Sequence, residues 1–489
     1  MTETTETRAA PGSVAPSPPA TSNEAPRQLK SPRRPGAPMS AAKQSILVLG
    51  IRVGGAVLQM LLVATVALRF SVTEVGLNGI LWAVALVARM AGPLGLDVMG
   101  LRSQSPLWAE GHNDQAAALA RRYSGALVRV WGVVFGIAAV ACAALALGGG
   151  PGSWFLALAI VAVTSAFMQL YVAQRQARNW PLLGQFMESI ALPALGLVGA
   201  LLTSVFAPNW LIASQVMAFL LVTLVLYAVS PSVQEARARR RRAASSAWTV
   251  SFTGRHARAV PEPGKTYVPR HASRGSGQDG AASVSVPWRP ALTVGVGNAL
   301  TALCVRGPMF VIGGQSLAAA GVYEVAQKIQ SGGAMGTSAV ATVFAPRIAV
   351  ALRKPAALIK LLMQASASSL VVPVGLLLFL FVVGADGLVA VLGDEYQGAW
   401  AASVILVVST VINAVTSAMS NVMVLGGRER MFVVIAAVQM TVVVGGALAS
   451  GADTAASMAV WVLIGETFRS GCMVAGLALH LRVQRGSAN

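Results

Sequence analysis

The stretch SPSVQEARARRRR at residues 230–242 opens a long polar interruption in an otherwise apolar chain. The interruption continues to Trp288 through Gly, Ser, Pro and Arg, without any apolar periodicity. A hydrophobic block lies on each side of it, at 45–229 and at 289–482, and the two blocks are similar in length. We therefore predict two membrane-embedded lobes, which a basic cytoplasmic linker at 230–288 connects.

The composition of the chain also indicates a membrane protein. Of 489 residues, 55% are hydrophobic and 11% are charged, and the mean hydropathy is +0.65. Soluble domains carry roughly a quarter charged residues. The first 44 residues are polar and contain no apolar core, so we expect a disordered cytoplasmic tail there and not a signal peptide. A second short cytoplasmic tail is expected at 483–489.

The formal net charge of +19 does not indicate nucleic-acid binding, because the basic residues fall mostly between the apolar runs. The three cysteines lie inside apolar runs, where they are expected to pack as small hydrophobic residues. The sequence contains no enzymatic or metal-binding motif, so we expect a non-enzyme without catalytic residues, metal or cofactor. Whether an ion gradient or the membrane potential drives its work stays open.

A membrane-spanning helix needs about 20 apolar residues. The 319–343 run is the weakest candidate, because Glu324, Gln327 and Lys328 make it amphipathic. We predict about twelve spans, six in each lobe, at 46–68, 75–96, 124–147, 153–174, 183–206, 209–229, 291–313, 319–343, 363–384, 398–424, 431–450 and 455–480.

Charges in the joints between spans predict the orientation. With the N-terminus inside, the external joints hold one basic residue, Arg69, against Glu74, Asp386, Asp394, Glu395 and Asp453. The cytoplasmic joints are basic, and this asymmetry predicts an even number of spans with both termini in the cytoplasm. The basic residues in those joints are Arg102, Arg121, Arg122, Arg175, Arg178, Arg347, Arg353, Lys354, Lys360, Arg428, Arg430, Arg482 and Arg485.

The two blocks resemble each other. Gly76 follows the first external turn and Gly321 follows the corresponding turn in the second block, at an offset of 245 residues. Arg102 and Arg347 end the next helices at the same offset. A parallel repeat of six helices explains this better than chance alignment. Such repeats are typical of transporters with a site between the halves, so we expect a central cavity.

Six basic residues lie within predicted spans, where a charge costs at least ~2.5–3.5 kcal/mol unless it meets a cavity or a partner. Arg52, Arg89 and Arg306 are the candidates for binding substrate in the cavity, and Arg guanidinium groups bind phosphate bidentately. Arg129 is expected to reach the cytoplasmic surface instead. The other two basic residues, Lys328 and Arg469, each lie one helical turn from an acid.

Four further residues are candidates for lining the cavity or for coupling. Glu324 and Lys328 are four residues apart, so they either form an intrahelical ion pair or face a polar lumen. Glu188 is the lone acid of its span, and Asp97 follows the second span. For Glu466 and Arg469, three apart in the last span, we expect a structural ion pair.

The sequence resembles the bacterial polysaccharide-biosynthesis flippases of the O-antigen type. These belong to the multidrug/oligosaccharidyl-lipid/polysaccharide exporter superfamily. The resemblance runs from about 45 to 480, with the linker as an insertion longer than the family leads us to expect. The matching segments lie at 75–77, 95–97, 111–122, 320–326, 345–347, 392–399 and 426–428.

The resemblance implies an all-α, MATE-like bundle of two six-helix lobes in the bacterial cytoplasmic (inner) membrane. It implies that the chain moves an undecaprenyl-diphosphate-linked oligosaccharide to the outer leaflet by alternating access, for cell-surface polysaccharide synthesis. Arg52, Arg89 and Arg306 would hold the diphosphate. The implied partners are the lipid-linked glycan and a glycan polymerase or glycosyltransferases. We also expect anionic lipid headgroups, not nucleic acid, at Arg237–Arg242.

Two other functions remain open. A multidrug or cation antiporter of the same superfamily is expected to have an acid in its first span, and 46–68 contains none. A non-transporting membrane scaffold would use the basic linker to recruit partners. A major-facilitator transporter also has six plus six helices, but its Gly-x-x-x-Asp-Arg-like loop has no counterpart at 100–105.

Overall fold

The computed structural model of the chain is almost wholly helical, with no β-strand among the residues it describes. The predicted N-terminal tail up to residue 40, most of the predicted linker with Arg239–Arg242, and the segment at 426–428 lie outside these residues. The described residues are 41–147, 152–178, 181–230, 233–234, 237, 288–351, 355–425 and 429–486.

Eight helices precede the linker. The turn into the second of them is a capping box, in which Ser71 accepts from the Glu74 amide and the Glu74 carboxylate accepts from the Ser71 amide at 2.9 Å. A π-helical segment, Met187–Ala191, joins the sixth and seventh into one span. The helices are α1 Ala41–Arg69, α2 Val72–Ala91, α3 Leu96–Ala109, α4 Asn113–Leu147, α5 Gly152–Ala177, α6 Pro181–Phe186, α7 Leu192–Phe206 and α8 Leu211–Ala228.

Seven helices follow the linker. A second π-helical segment, Thr441–Gly445, joins the fifth and sixth of these, so both halves widen the helix within their fifth span. The helices are α9 Trp288–Gln315, α10 Leu317–Ala351, α11 Pro355–Leu392, α12 Ala399–Leu425, α13 Glu429–Met440, α14 Gly446–Ser450 and α15 Ala455–Gly486.

Eleven helices in the described part of the chain are long and apolar enough to cross a membrane, and they match eleven of the twelve predicted spans. The twelfth, predicted at 319–343, is also helical and lies within α10. It is less apolar than the other eleven because it contains Glu324, Gln327 and Lys328, and all three side chains are buried. The spans are therefore confirmed by length and composition, whereas the orientation and the division into lobes stay predictions.

Helix α2 packs along α9 and α10 and brings the two halves together. A Cβ added to Gly76 would lie 2.1 Å from the Leu317 carbonyl oxygen. A Cβ added to Gly321 would lie 2.1 Å from the Val72 carbonyl oxygen. Each glycine thus touches the residue four positions before the other. Because 72 and 317 are also 245 residues apart, the repeated segments face each other across a local two-fold contact that only glycine permits.

The buried apolar residues form several separate cores, and α2 contributes to two of them. One core contains Leu62, Leu81 and Phe219, and another contains Met309 and Leu406 together with Ala83. Helix α2 therefore supplies Leu81 to the first core and Ala83 to the second. Large apolar side chains on the outside of the bundle are exposed, such as those of Ile137, Leu224 and Val382, as a lipid-facing surface requires.

Candidate functional site

Most of the charged side chains singled out in the sequence belong to two groups in the described part of the bundle. We call Arg52, Arg89, Gln185, Glu188 and Ser338 the open cluster, because most of its members are partly or wholly exposed. We call Arg306, Glu324, Gln327 and Lys328 the sealed cluster, because all four are buried.

The centre of the open cluster is an ion pair between neighbouring helices. Arg89 Nη1 of α2 lies 2.8 Å from Glu188 Oε1, and the two side chains are 26% and 16% exposed. Glu188 lies in the π-helical segment between α6 and α7. The pair is partly accessible, so a ligand can compete with Glu188 for the guanidinium group.

The sequence explains why the helix widens at Glu188. Pro193 follows the segment and has no N–H, so it cannot donate the α-helical bond to Ser189, four residues earlier. Helix α1 approaches this point closely, because a Cβ on Gly55 would lie 2.1 Å from the Ser189 carbonyl oxygen. The glycine in α1 and the proline after Glu188 together bring α1 against the π-helical segment.

Arg52 of α1 reaches the same segment. Its Nε donates to Gln185 Oε1 at 3.3 Å, and its Nη1 donates to Ser338 Oγ of α10 at 3.2 Å. Gln185 and Glu188 are three residues apart, which is the spacing of one helix face. This face therefore receives both guanidinium groups, and with one acid against two arginines the open cluster carries a net formal charge of +1.

The sealed cluster lies between α9 and α10. Glu324 accepts two cations, with Arg306 Nη1 at 3.3 Å and Lys328 Nζ at 3.3 Å. Arg306 also donates to Gln327 Oε1, whose amide donates in turn to the Val305 carbonyl at 2.6 Å. Glu324 has 0% exposure, so this cluster, also +1 in formal charge, does not meet solvent or ligand in the conformation described.

Helix α2 touches both clusters. The Lys328 ammonium lies 5.1 Å from the centroid of the Trp82 ring, close enough for a cation–π contact. A Cβ on Gly79 would lie 2.9 Å from the Glu324 side chain. Arg89 follows Trp82 by two helical turns, about 10 Å along the axis. A shift of α2 would therefore disturb both clusters together.

Glu466, Arg469 and Arg129 lie outside both clusters. Arg469 Nη1 lies 2.9 Å from Glu466 Oε1, and Gln439 donates to the other carboxylate oxygen at 2.8 Å. The predicted structural pair is therefore present. Arg129 is exposed on α4, and its reach to the cytoplasmic surface stays a prediction.

Asp97 stands apart from both clusters, near the start of α3. It is buried, and its Oδ1 has no hydrogen-bond partner. Burial raises the pKa of the Asp97 carboxyl, and hydrogen bonds from the Val98 backbone and the Gln169 side chain oppose that rise. The assignment of Asp97 to a cavity or to coupling stays a prediction.

The structure thus brings the predicted residues together in two sets and not in one. Arg52, Arg89 and Glu188 meet in the open cluster, whereas Arg306 joins Glu324 and Lys328 in the sealed one. Gln185 and Ser338 were not predicted from the sequence. Gln185 carried a signal, since it lies three residues before Glu188, but Ser338 comes from another helix and carried none.

Two clefts open on the side of the bundle. The first, of about 570 Å³, is basic, and its lining includes Arg121, Arg122, Arg129 and Trp288. The second, of about 430 Å³, is apolar and runs between α2, α4, α5 and α9. Neither is lined by Arg52, Arg89 or Arg306, so a cavity around those arginines stays a prediction. Within the described residues, no group of three His, Cys, Asp or Glu side chains could hold a metal.

Comparisons with known proteins identify the fold. No family model and no curated protein sequence matches the chain. An inward-facing multidrug resistance MATE family transporter of the MOP superfamily matches 90% of this chain and 98% of its own, with a TM-score of 0.59 and 12% identity. The lipid II flippase MurJ, inward closed, matches 88% of this chain and 87% of its own, with a TM-score of 0.60 and 10% identity.

A Vibrio cholerae MATE transporter also matches, over 91% of this chain and 97% of its own, with a TM-score of 0.56 and 16% identity. At such low identities the similarity concerns the fold. The expectation of an all-α, MATE-like membrane protein is confirmed, and the resemblance to the exporter superfamily is confirmed as a shared fold. The chain therefore has the multi-pass helical fold that MATE transporters and MurJ share.

Proposed function

We propose that this chain is a flippase of the bacterial cytoplasmic membrane whose substrate is an oligosaccharide on a lipid diphosphate of the undecaprenyl kind. It moves the substrate from the inner to the outer leaflet by alternating access, for cell-surface polysaccharide synthesis. The observation that carries the proposal is the open cluster, where two guanidinium groups meet at one face of a π-helical segment with a single acid between them.

The two arginines differ in how strongly they are held. Arg89 has a carboxylate partner, whereas Arg52 binds the neutral amide of Gln185 and the hydroxyl of Ser338. Arg52 therefore keeps its full charge for an incoming diphosphate. A diphosphate carries more negative charge than one carboxylate, so it displaces Glu188 from Arg89. When the diphosphate leaves, Arg89 returns to Glu188 and the site is reset.

Binding in this way also changes a contact between the two halves. Arg52 belongs to α1, and its partner Ser338 belongs to α10, 286 residues later. A diphosphate that takes the Arg52 guanidinium removes that hydrogen bond. This loosens α1 from α10 only when substrate is bound, which is the coupling that alternating access requires. Arg306 would join the site only in a conformation that separates it from Glu324.

The alternative is a multidrug or cation antiporter, which the names of the MATE structures with this fold favour. Glu188 is the acid best placed to bind a cation, because it is partly exposed within a span. Its charge is neutralised by Arg89, however, and Arg52 lies on the same face. A cationic drug would meet a net positive charge there, so the open cluster favours the anionic substrate.

The test is complementation of a strain that lacks the gene. The deletion is expected to accumulate lipid-linked oligosaccharide in the inner leaflet and to lose surface glycan. Wild type restores both, whereas Arg52→Gln with Arg89→Gln reduces export at least tenfold at equal membrane abundance. Arg69→Gln is the matched control, because Arg69 is exposed at the opposite end of α1 and outside the cluster.

Three outcomes would count against the proposal. Full export by the double variant would remove the assigned site. Efflux of a cationic dye such as ethidium that Glu188→Gln reduces, without any glycan phenotype, would favour the antiporter. Loss of function on replacing Arg239–Arg242 with Ala, while the Arg52 and Arg89 variants remain active, would favour a scaffold.

A further inference from the structure

The basic cleft lies on one face of α4, outside both charged clusters. Its lining residues on α4 recur at helical spacing, so they form a single stripe. Arg121, Arg122 and Arg129 supply the charge, and Ala118, Gly125 and Ala126 leave room between them. The full lining is Ala118, Arg121, Arg122, Gly125, Ala126, Arg129, Val130 and Trp288.

The opposite wall of this cleft is Trp288, the first residue of α9. Trp288 is 37% exposed, so its ring stands in the cleft mouth. Tryptophan is enriched where a membrane protein crosses the headgroup region, because the ring is apolar and its N–H is polar. Arginines and a tryptophan that line one cleft are the residue types expected at a site that binds a lipid headgroup at the membrane surface.

The basic cleft and the apolar groove adjoin at Val130, which lines both. Val84, Val87 and Ala91 of α2 form one wall of the groove, and Phe310 of α9 lies on another. The indole N–H of Trp131 donates to the Gly92 carbonyl at 2.9 Å, so the ring presents its carbon atoms to the groove. A polar head and an apolar tail would thus find matching surfaces side by side.

The length of the two cavities fits one leaflet. Ala118 and Val134 mark the two ends along α4 and are sixteen residues apart, about 24 Å of helix. A bilayer with its headgroups is about 40–45 Å thick, so this is about half of it. Beyond Arg129, α4 turns exposed apolar side chains outward, including Val133 and Ile137, and the groove is therefore reached from the lipid.

We propose that the cleft and the groove together bind one anionic phospholipid from the bilayer, with its phosphate on Arg121, Arg122 and Arg129 and an acyl chain in the groove. The site is separate from the open cluster and does not depend on the transported substrate. The linker that precedes Trp288 in sequence is a poor occupant, because residues 230–287 hold ten basic and three acidic residues, the same sign of charge as the cleft.

The test titrates phosphatidylglycerol into the purified full-length chain and counts bound lipid by native mass spectrometry. Arg121→Gln and Arg129→Gln are each expected to weaken binding about fivefold, the equivalent of ~1 kcal/mol per basic residue near a membrane surface. Arg430→Gln is the matched control, since Arg430 is exposed at the start of α13. It leaves the affinity unchanged, and the linker arginines are present in every variant.

Two further arms separate a lipid from a free anion. Ala91→Phe fills the groove and is expected to weaken phosphatidylglycerol binding severalfold, with no effect on inorganic phosphate. Phosphatidylcholine is expected to bind at least tenfold more weakly than phosphatidylglycerol. Equal affinity for the two lipids, full competition by inorganic phosphate, or equal losses in Arg121→Gln and Arg430→Gln would each overturn the proposal. Arg121→Lys, which keeps the charge, tests the assignment if Arg121→Gln does not fold.

Discussion

The open and sealed clusters have the same formal charge, two cations and one acid, but opposite surroundings. In the open cluster Glu188 pairs with Arg89 alone, and both side chains are partly exposed. In the sealed cluster Glu324 holds both cations and is fully buried. Charge alone therefore does not mark a binding site within a membrane protein. What marks it is whether a ligand can take the place of the acid.

The burial of the two acids also sets how much stability each supplies. A buried ion pair roughly balances its desolvation cost, but the removal of one partner leaves a charge in a medium that cannot solvate it. Where a partly exposed pair meets water, water replaces the lost partner, so the loss of the pair costs little. The two clusters should therefore respond to the same substitution with different losses.

The largest expected effect is that of Glu324→Gln. This change leaves Arg306 and Lys328 buried without a counter-charge, so we expect a loss of about 3–5 kcal/mol and little protein in the membrane. The measurement is the thermal unfolding of the purified chain in detergent, with abundance in membranes as a second readout. Glu188→Gln is the matched control and should cost about 1 kcal/mol or less. Equal losses of stability in the two variants would show that Glu324 is as accessible as Glu188.

Gly79→Ala tests the packing of α2 against the sealed cluster. The new Cβ would lie 2.2 Å from Met309 Cε and 2.9 Å from the Glu324 side chain. We expect overpacking to cost about 1–3 kcal/mol, measured as a lower midpoint of thermal unfolding. Gly136→Ala is the control on α4, where a Cβ meets nothing within 4 Å, and it should stabilise by up to ~1 kcal/mol. A neutral Gly79→Ala would mean that α2 does not press on Glu324.

The Arg89–Glu188 pair should couple weakly in stability and strongly in function. A double-mutant cycle with Arg89→Gln and Glu188→Gln is expected to give a coupling of about 1 kcal/mol or less. The cycle with Lys328→Gln and Glu324→Gln should give a clearly larger value, because that pair is buried. Glycan export is expected to fall with Arg89→Gln while the unfolding midpoint barely moves. A coupling of equal size in both cycles would erase the distinction between the clusters.

Much of the fold was predictable because a membrane span is a continuous run of apolar residues, which the local composition of the sequence reveals. Eleven predicted spans correspond to helices that can cross a membrane. The repeat of 245 residues was also visible at Gly76 and Gly321. The contact between the two copies could not be predicted from the sequence. It depends on how the helices pack, because each glycine touches the other half of the chain.

The site was predictable in type but not in grouping. The Glu324–Lys328 pair follows from a spacing of four residues within one helix. Arg306 lies 18 residues before Glu324 on another helix, and only packing decides that it joins this pair and not Arg52. Gln185 and Ser338 hold Arg52 across still larger gaps in sequence, of 133 and 286 residues. Local spacing reveals partners on the same helix, whereas tertiary partners of buried charges have no comparable signal.

Asp97 is a third case, an acid that is buried like Glu324 and whose Oδ1 has no hydrogen-bond partner among the described residues. Burial raises its pKa above the usual 3.8. A raised folded-state pKa means that the folded chain loses stability as pH rises from 3.8 through the raised value, because ionised Asp97 is tolerated better in the unfolded chain. Asp97→Asn removes this cost at neutral pH and has little effect in acid.

We therefore expect Asp97→Asn to raise the unfolding midpoint by roughly 1–3 °C at pH 7.5 and by less at pH 4.5. Asp453→Asn is the control, because Asp453 is exposed in the turn before α15 and should show no pH-dependent difference. A lower midpoint for Asp97→Asn at pH 7.5 would mean that the carboxylate is stabilised in place. Asp97 would then resemble Glu324, as a buried carboxylate that its surroundings stabilise in the charged form.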